Sequence, residues 1–499
     1  MITRMCLLFI LSVLLFTSCK KKGTGEDDTV PTTKELSDAD SLKYLMYRIM
    51  EKSFLDGGRD STVDLPLYYW YNKVPAINPL SSEFSTADDL LTRMKSYTTD
   101  NNGKIMDRYS FLDDGTVVGE IGGNAGDIGI QALYARFSNN DIRPVVIYAD
   151  KNSPAGQKGV SRGWVINSVN GKTTQYDGQS GPNVTAVVNA LYNDAQATFG
   201  FVRPDGSTST VTLSKASYKV NPILFDTVYN VNGQNVGYFV LSSFTGITDD
   251  NGNPTLTKNE IDRVFNNFAS KSISSLIVDV RYNGGGDGST TEYLANKIAP
   301  ASTNGKLMYR EVYNNKLNPL IENGSIPGLI NKVNFNGQGN LNLQNVFFIG
   351  TNQSASASEM LYNDLRPYMN VKLVGDTTYG KPVGMWVRPI TIFKNKVESL
   401  LSYLIAITFE TRNSADQGGF YNGLAPDALA YDYIDLNWGD ERDDNLIKIF
   451  KYISTGSFSR ISSFNQMTPN PEFKLSIPNS LPELRFNGMI MRNPISGKK

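Results

Sequence analysis

The stretch "NVFFIGTNQSASASEMLYNDLRPY", from Asn345 to Tyr368, decides the fold of the second half of the chain. An apolar run predicts a buried strand, small polar residues predict a turn, and "MLYNDL" continues as a helix. Two further segments have a related pattern. "SSLIVDVRYNGGGDGSTTEYLANKI" (Ser274–Ile298) predicts a strand, a glycine loop and a helix, and "VKLVGDTTYGKPVGMWV" (Val371–Val387) predicts a strand that enters a turn. Apolar strands that alternate with helices indicate an α/β domain, which we assign to residues 219–459.

The serine turn in the opening stretch supports two interpretations. Ser356 and Glu359 fit the capping box S-x-x-E, which stabilises a helix by about 1 kcal/mol and implies no catalysis. A serine directly after a buried strand also presents its hydroxyl at the carboxyl edge of the sheet, where active sites of α/β domains lie. The amide of Ala357 would then point into the same space as an oxyanion donor. Both interpretations can hold together.

The composition limits what could activate such a serine. The 499 residues include no histidine and two cysteines, Cys6 and Cys19. Ser-His-Asp triads, Cys-His dyads and histidine-ligated zinc are therefore excluded, and we expect neither a metal nor a cofactor. The base must be a carboxylate or a lysine whose charge is removed by burial. The spacing S-x-x-K occurs only at Ser18–Lys21 and Ser496–Lys499, so a Ser/Lys dyad would have to join separate segments.

Charge and glycine spacing argue against nucleic acid and nucleotide ligands. Lys and Arg total 48 against 49 Asp and Glu, which leaves no broad field to attract nucleic acid. "NGGGDG" lacks the G-x-G-x-x-G spacing, and "YGKPV" has proline where a phosphate-binding loop has Ser or Thr. The glycine loop instead suits the presentation of backbone N–H groups to a reacting carbonyl.

The N-terminus predicts export. The run "MCLLFILSVLLF" (Met5–Phe16) is too short to span a bilayer and is typical of a signal peptide. "FTSC" (Phe16–Cys19) resembles a bacterial lipobox, which implies cleavage after residue 18 and acylation of Cys19; an ordinary secretory signal is the alternative. Residues 19–36 are polar and predict a flexible tether. We expect a cell-envelope protein whose only membrane contact is this lipid anchor, held at the periplasmic or surface face of the outer membrane.

Two regions precede the α/β segment. Residues 37–112 are predicted to be helical, because Leu42, Leu45, Met46, Ile49 and Met50 form one apolar stripe. Ser85 or Thr86 is suited to cap a second helix. Residues 113–218 change to a period of two, with short predicted strands interrupted by Gly, Pro and Asn.

The β-rich region resembles a PDZ domain in two places. "DKNSPAGQKGVSRGWVINSVNGKTT" (Asp150–Thr174) resembles the segment in which a short helix, a glycine turn and a strand follow one another. "GDIGIQ" (Gly126–Gln131) resembles the loop that binds a terminal carboxylate, which implies a substrate-binding role for Gly129 and Ile130. A plain β-hairpin is the alternative. In the PDZ interpretation, backbone N–H groups converge on a peptide that adds a strand to the sheet edge.

An ordered set of motifs resembles the C-terminal processing, or tail-specific, serine peptidases. The set comprises "VGYFVLSSF" (Val236–Phe244), "DVRYNGGG", "SASASEM", "TTYGKPVG" and "YNGLAPD" (Tyr421–Asp427), after the PDZ-like region. The resemblance implies a crotonase-like α/β spiral core. The expected fold class is multidomain α+β, with an N-terminal helical region, a PDZ-like domain, the peptidase core and a tail at residues 460–499.

The resemblance also implies roles for individual residues. Ser356 would be the nucleophile and Lys381 the general base, and the backbone amides of Ala357, Gly285 and Gly286 would hold the oxyanion. Glu359 and Thr378 would support the two turns, and Asp279, Arg281 and Asn283 would shape the glycine loop. The expected substrates are proteins or peptides with free C-termini, cut at internal bonds near that end. No oligomeric state is predicted.

Two positions depart from the family pattern. Met385 stands where the family often has a glutamine that orients the lysine, and Gly284 replaces a frequent proline. A thioether is a weak hydrogen-bond acceptor. The alternative function is therefore a catalytically weak or inactive homologue that serves as an envelope scaffold for peptides or small apolar ligands.

Overall fold

The structure is a computed structural model that describes residues 36–59, 64–137, 139–326 and 329–458, together with the strand segments 473–474 and 489–492. The predicted signal peptide, Cys19 and nearly all of the predicted tether lie outside the described residues, as does most of the predicted tail. The described residues from Asp38 onward form one compact unit.

The described α-helices alternate with strands through most of this unit. They are α1 (Asp38–Glu51), α2 (Ala87–Ser96), α3 (Thr116–Ile121), α4 (Pro154–Gln157), α5 (Pro182–Val188), α6 (Leu256–Ser270), α7 (Gly288–Ile298), α8 (Leu317–Glu322), α9 (Ala357–Leu365) and α10 (Asp444–Thr455).

The described strands of the first half are β1 (Phe111–Asp113), β2 (Asn124–Ala125), β3 (Ile130–Phe137), β4 (Ile142–Ala149), β5 (Val165–Val169), β6 (Lys172–Thr173), β7 (Gln196–Val202), β8 (Thr208–Ser214) and β9 (Tyr218–Lys219). Those of the second half are β10 (Ile223–Val231), β11 (Gln234–Leu241), β12 (Ser275–Asp279), β13 (Gly286–Asp287), β14 (Leu307–Tyr313), β15 (Lys332–Asn334), β16 (Asn345–Gly350), β17 (Val371–Gly375), β18 (Val383–Lys394), β19 (Val397–Asn413), β20 (Ala428–Leu429), β21 (Phe473–Lys474) and β22 (Met489–Arg492).

Two α-helices, α1 and α2, lie between residues 37 and 112. The apolar stripe of α1 is buried at Leu45, Met46, Ile49 and Met50. Thr86 rather than Ser85 caps α2: its side chain accepts a hydrogen bond from the backbone of Asp89, and the Asp89 carboxylate accepts one from the backbone of Thr86. This reciprocal pair satisfies two N–H groups at the start of the helix.

Residues 130–214 form an antiparallel sheet in the order β3-β4-β5-β7-β8, with β6 beside β5 and β21 beside β3. One apolar cluster, which includes Ile130, Ile166 and Phe199, fills the space beneath it. A second cluster joins Leu133 and Val145 of this sheet to the core of residues 219–459. The β-rich region is therefore packed directly against the rest of the unit.

A sheet in the order β10-β11-β12-β16-β17-β20 forms the centre of the second half, and its strands from β11 onward are parallel. Its strands carry apolar residues on both faces, as expected where helices or another sheet cover each side. In β16, Val346 and Phe348 belong to the cluster shared with α7 and α9, whereas Phe347 and Ile349 face α10. The sheet is thus buried on both faces.

Three connections leave this parallel sheet at its carboxyl edge, and they carry the chemically active segments. The glycine loop follows β12, the serine turn follows β16, and the lysine turn follows β17. Because Asp279 pairs with Ile349 and Gly350 pairs with Gly375, the three strands end side by side. The parallel register therefore brings together segments that are distant in sequence.

A second sheet, in the order β13-β22-β18-β19-β14-β15, has β1 paired with β19. Helices α7 and α9 share one apolar cluster with residues of both large sheets, including Leu276 of β12 and Ile407 of β19. The molecule is thus a mixed α/β structure. In the part of the chain that the structure describes, no helix has the length and apolar character needed to cross a bilayer.

Candidate active site

Ser356 lies on a strained turn immediately before α9. Its backbone has φ 57° and ψ −108°, a conformation that residues other than glycine rarely adopt, and its side chain is almost fully buried. The hydroxyl oxygen is buried without a hydrogen-bond partner. The hydroxyl therefore does not cap the helix, and it remains available for chemistry. A strained backbone of this kind costs about 1–3 kcal/mol and is concentrated at functional sites.

The two neighbouring serines attach this turn to the end of β12 and the glycine loop. The Ser354 hydroxyl donates to the carbonyl of Val280 at 2.7 Å, and the Ser358 hydroxyl donates to the carbonyl of Asn283 at 2.9 Å. The backbone N–H of Ala355 donates to the same Asn283 carbonyl at 3.1 Å. The serines on either side of Ser356 thus have structural roles.

Glu359 connects the serine turn to the lysine turn. One carboxylate oxygen accepts hydrogen bonds from the backbone N–H groups of Ser356 and Lys381, both at 2.8 Å. The other accepts from the Gly380 N–H at 2.7 Å and from the Thr378 hydroxyl. Burial raises the pKa of Glu359, and these four donors oppose that shift. The carboxylate therefore holds both turns in one arrangement.

Lys381 is also buried, and its amine contacts Met385 and Tyr109. Its Nζ lies 3.5 Å from the sulfur of Met385 and 4.7 Å from the centre of the Tyr109 ring. Met385 thus contacts the lysine despite being a poor hydrogen-bond acceptor. The Tyr109 hydroxyl donates to the Gly380 carbonyl at 2.8 Å, which fixes the ring beside the lysine turn.

Tyr109 is a site residue that the sequence analysis missed. It belongs to the segment just before β1, far from Lys381 along the chain, and no motif marks it. The neighbouring Arg108 side chain donates to the Tyr109 hydroxyl at 2.6 Å and to the Tyr421 carbonyl at 3.2 Å. No pattern in the sequence could have found Tyr109, because its contact with Lys381 arises only from tertiary packing.

The glycine loop lies against the serine turn, but one expected oxyanion donor is already engaged. The Gly285 N–H donates to the Asn283 side chain at 2.9 Å, so Gly285 would have to exchange this partner before it could hold an oxyanion. Gly286 has φ 140°, and a side chain there would approach the Phe244 carbonyl to 2.3 Å. Only glycine fits at that position. Ala357 is the first residue of α9, where a helix leaves backbone N–H groups without partners inside the helix.

Arg281 has a structural role behind the glycine loop. Its guanidinium group contacts Asp279 at 2.6 Å, Asp443 at 2.7 Å and Asp432 at 2.8 Å. Asp432 also contacts Arg162 of the β-rich region at 2.7 Å. Burial would raise the pKa of Asp432, but the two guanidinium groups hold it below its ordinary value.

Gly129 and Ile130 lie in a different sheet from the serine and lysine turns. Gly129 has φ 78° and precedes β3; its N–H donates to the Asp127 side chain at 2.8 Å. A side chain at Gly129 would collide with Ser153, so glycine is required there. Ile130 begins β3 and is buried. Cys19 lies outside the described residues.

Potential metal ligands are not clustered in the part of the chain that the structure describes. No group of three or more Asp, Glu, His or Cys residues there has the arrangement of a metal site. The candidate site includes Ser356, Lys381 and Glu359, the adjoining side chains of Tyr109, Thr378 and Met385, and the backbone of the neighbouring loops.

Part of the chain is similar to known peptidases. Residues 235–429 match the model of peptidase family S41. A curated relative, the chloroplastic C-terminal processing peptidase of Tetradesmus obliquus, is 23% identical over 278 residues, which are 52% of this chain and 52% of that protein. The chain thus spans about half the length of the curated relative that it matches.

Solved structures share the fold. A structure from Bacteroides fragilis NCTC 9343 that carries an S41 protease assignment superposes with a TM-score of 0.58 at 20% identity, over 78% of this chain and 95% of the other. That likeness extends beyond residues 235–429 and supports the mixed α/β architecture as a whole. The comparisons thus show that residues 235–429 are similar to peptidase family S41 and that the chain shares the fold of the Bacteroides fragilis structure.

Proposed function

We propose that this chain is a serine endopeptidase of the tail-specific type that uses a Ser356/Lys381 dyad. The observation that carries the proposal is that the Glu359 carboxylate accepts hydrogen bonds from the backbone N–H groups of both Ser356 and Lys381. The hydroxyl of Ser356 is buried without a hydrogen-bond partner, and the Lys381 side chain is buried as well. A strained nucleophile turn after a strand is also typical of hydrolases that expose a serine at a sheet edge. The match to peptidase family S41 favours this function over the scaffold alternative.

The first step transfers a proton from Ser356 to Lys381. Burial disfavours the charged form of an amine, so a buried lysine is suited to act as a base. In this structure, the Lys381 Nζ contacts the Met385 sulfur, and the Ser356 hydroxyl is without a partner. Because a thioether is a weak acceptor, exchanging that contact for the serine hydroxyl costs little. The serine oxygen then attacks the substrate carbonyl.

The later steps use the same groups. The Ala357 and glycine-loop N–H groups stabilise the negative charge that develops on the carbonyl oxygen. The protonated Lys381 gives its proton to the leaving amine, and the acyl group remains on Ser356. A water molecule then gives a proton to Lys381 and attacks the acyl carbonyl. Lys381 returns this proton to the Ser356 oxygen as the acyl bond breaks, which releases the second product and restores both side chains. Glu359 takes no proton in this scheme and keeps the two turns in register.

The finer parts of the proposal concern substrate delivery and location. The β-rich region would bind a substrate C-terminus at the Gly129 loop, as a PDZ domain does, and direct an internal bond toward Ser356. The support is the glycine-dependent loop at the start of β3 and the packing of this sheet on the core. Acylation at Cys19 would hold the enzyme at the outer membrane within the cell envelope.

Cleavage of an unstructured protein with an apolar C-terminus tests the dyad. The enzyme would begin at residue 20, which keeps the compact unit from Asp38 onward whole. We expect cleavage by the wild type and none by Ser356→Ala or Lys381→Ala. The same substrate with an amidated C-terminus should be cut more slowly if the free carboxylate is recognised. Equal cleavage by the wild type and both variants, or no cleavage by any, would rule out the dyad.

A further inference from the structure

The C-terminal strand β22 lies between the two segments that flank the candidate active site. It runs parallel to β13 on one side and to β18 on the other. Met489 pairs with Gly286 and with Gly384, and Ile490 pairs with Asp287 and with Met385. The chain's own C-terminal segment thus joins the glycine loop to the strand that follows Lys381.

Both strands that pair with β22 carry residues of the candidate active site. Gly286 is one of the expected oxyanion donors, and Met385 contacts the Lys381 Nζ at 3.5 Å. In the described residues, β22 is the strand that separates β13 from β18 in this sheet. A chain segment that leaves this position would expose the backbone of both strands. Exposed strand edges bind extended peptides through main-chain hydrogen bonds, with little dependence on sequence.

The same C-terminal segment also covers the edge of the β-rich sheet. Strand β21 pairs with β3 in antiparallel register, with Phe473 opposite Phe137 and Lys474 opposite Arg136. An antiparallel strand beside β3, the strand that follows the Gly129 loop, is where a PDZ-type ligand would add. Residues 475–488, which connect the two strand segments in the sequence, lie outside the described residues. One tail therefore pairs with both edges at which a substrate would dock.

We propose that an extended substrate binds between the edges of β13 and β18, which we call the peptide-binding groove, and that β22 occupies this groove and competes with substrate for it. If β22 occupies the groove, the tail restrains peptidase activity; this consequence rests on the proposed function. A segment tethered by a short linker binds at an effective concentration on the order of millimolar, so free substrate must displace it. Substrate that engages the β3 edge would displace β21 and loosen the tail as a whole.

A proline in β22 tests occupancy without relying on activity. Ile490→Pro removes a backbone N–H from a strand paired on both sides and should release β22, whereas Ile490→Val keeps the N–H and the strand preference. In the Ser356→Ala background, hydrogen exchange at Gly384–Val387 should be faster with the proline than with the valine. Deletion of residues 473–499 should give the same fast exchange. Equal protection in the three proteins would overturn the inference.

Peptide binding and cleavage rates of the same variants complete the test. A labelled peptide of residues 487–494 should bind the Ser356→Ala/Ile490→Pro protein more tightly than the Ser356→Ala/Ile490→Val protein, because the groove is open only in the first. With Ser356 intact, Ile490→Pro should have a several-fold higher kcat/KM than Ile490→Val. Faster exchange and tighter binding without cleavage by any variant would support the tail's position and contradict the proposed function. Cleavage by the variants with Ser356 intact, together with unchanged hydrogen exchange and unchanged peptide binding, would support the proposed function and contradict the role of the tail.

Discussion

Glu359 accepts a 2.8 Å hydrogen bond from the backbone N–H of Lys381, and this contact ties the helix that follows the candidate nucleophile to the turn that carries the candidate base. The two residues belong to connections after different strands. Their hydrogen bond therefore fixes the position of one turn relative to the other. The relative position of the Ser356 and Lys381 side chains depends on this hydrogen bond.

Replacement of Glu359 by glutamine should reduce kcat more than it raises KM. The amide nitrogen of glutamine would face backbone donors, and each buried donor left unpaired costs about 1–3 kcal/mol. We expect stability to fall by about 2–4 kcal/mol and kcat to fall about tenfold or more, which corresponds to at least about 1.4 kcal/mol in the barrier. Urea unfolding and steady-state kinetics measure the two effects. A stable protein with unchanged kcat would show that Glu359 does not position the dyad.

Replacement of Met385 by glutamine should raise kcat. An amide oxygen accepts a hydrogen bond from Lys381 more strongly than the thioether now in contact with it, and it would orient the amine. Met385 is fully buried, so the polar side chain should lower stability by about 1–3 kcal/mol. Met385→Leu keeps the volume without an acceptor and is the matched control. If glutamine and leucine give the same kcat, the lysine does not need an acceptor at this position.

Replacement of Arg162 by alanine should weaken the contact between the β-rich region and the core. The guanidinium group contacts Asp432, donates to the Leu436 carbonyl at 2.9 Å and lies 4.1 Å from the Trp438 ring centre. Removing one partner of a buried ion pair costs about 3–5 kcal/mol, and Arg281 should moderate that cost because it also contacts Asp432. Arg203→Ala removes a guanidinium that lies over Trp164 within the β-rich region and should cost less than about 1 kcal/mol. Thermal unfolding measures the stability of both variants. An equal loss of stability in Arg162→Ala and Arg203→Ala would contradict a role for Arg162 in the contact between the β-rich region and the core.

Stability should fall as the pH rises toward 8 because of Glu311. Burial raises the pKa of this carboxyl to about 8, and one of its oxygens is buried without a partner. The folded state therefore keeps a proton that the unfolded state loses above its ordinary pKa. The stabilisation is complete below that ordinary pKa and decreases by up to about 1.4 kcal/mol per pH unit until the pH passes the folded value.

Urea unfolding between pH 5 and 9 measures this slope. Glu311→Gln should make the slope shallower by the contribution of one carboxyl, because glutamine does not titrate; other buried carboxyls with raised pKa values, such as Glu51, keep theirs. Glu322→Gln, at an exposed position on α8, should leave the slope unchanged. A slope in Glu311→Gln equal to that of the wild type would assign the titration to other groups.

Replacement of Ser356 by glycine should stabilise the fold relative to Ser356→Ala. Both variants lack the hydroxyl, but only glycine adopts the positive φ of this turn without strain. The strain of about 1–3 kcal/mol, less the entropic cost of glycine, leaves an expected difference of about 1 kcal/mol. Equilibrium unfolding of the two inactive variants gives the value directly, and a more stable alanine variant would contradict the strained geometry.

Local patterns in the sequence predicted the elements well and the long-range pairings poorly. The buried strand before the glycine loop, the helix after the serine turn and the cap at Thr86 all follow from short-range periodicity and capping chemistry. The pairing of Phe111 with Ile405 and the place of β22 beside Gly286 depend on contacts between distant parts of the chain. Periodicity within a segment carries no information on such partners.

The same distinction applies to the site. Ser356 and Lys381 were predicted from motifs, and the structure places their backbones on one carboxylate. Tyr109 and Arg162 reach their partners only through tertiary packing, so a pattern in the sequence could not reveal them. The capping-box interpretation was half right, because Glu359 accepts from the Ser356 backbone while the serine hydroxyl stays without a partner.

β22 lies well C-terminal to the serine and lysine turns, and this separation sets the order in which the candidate site can assemble. The serine turn, Glu359 and the lysine turn belong to one contiguous segment, and contacts that are local in sequence form faster than distant ones. Because β22 is synthesised after these turns, the proposed groove beside Lys381 forms before β22 occupies it. We therefore expect chains truncated at residue 458 to have an open groove.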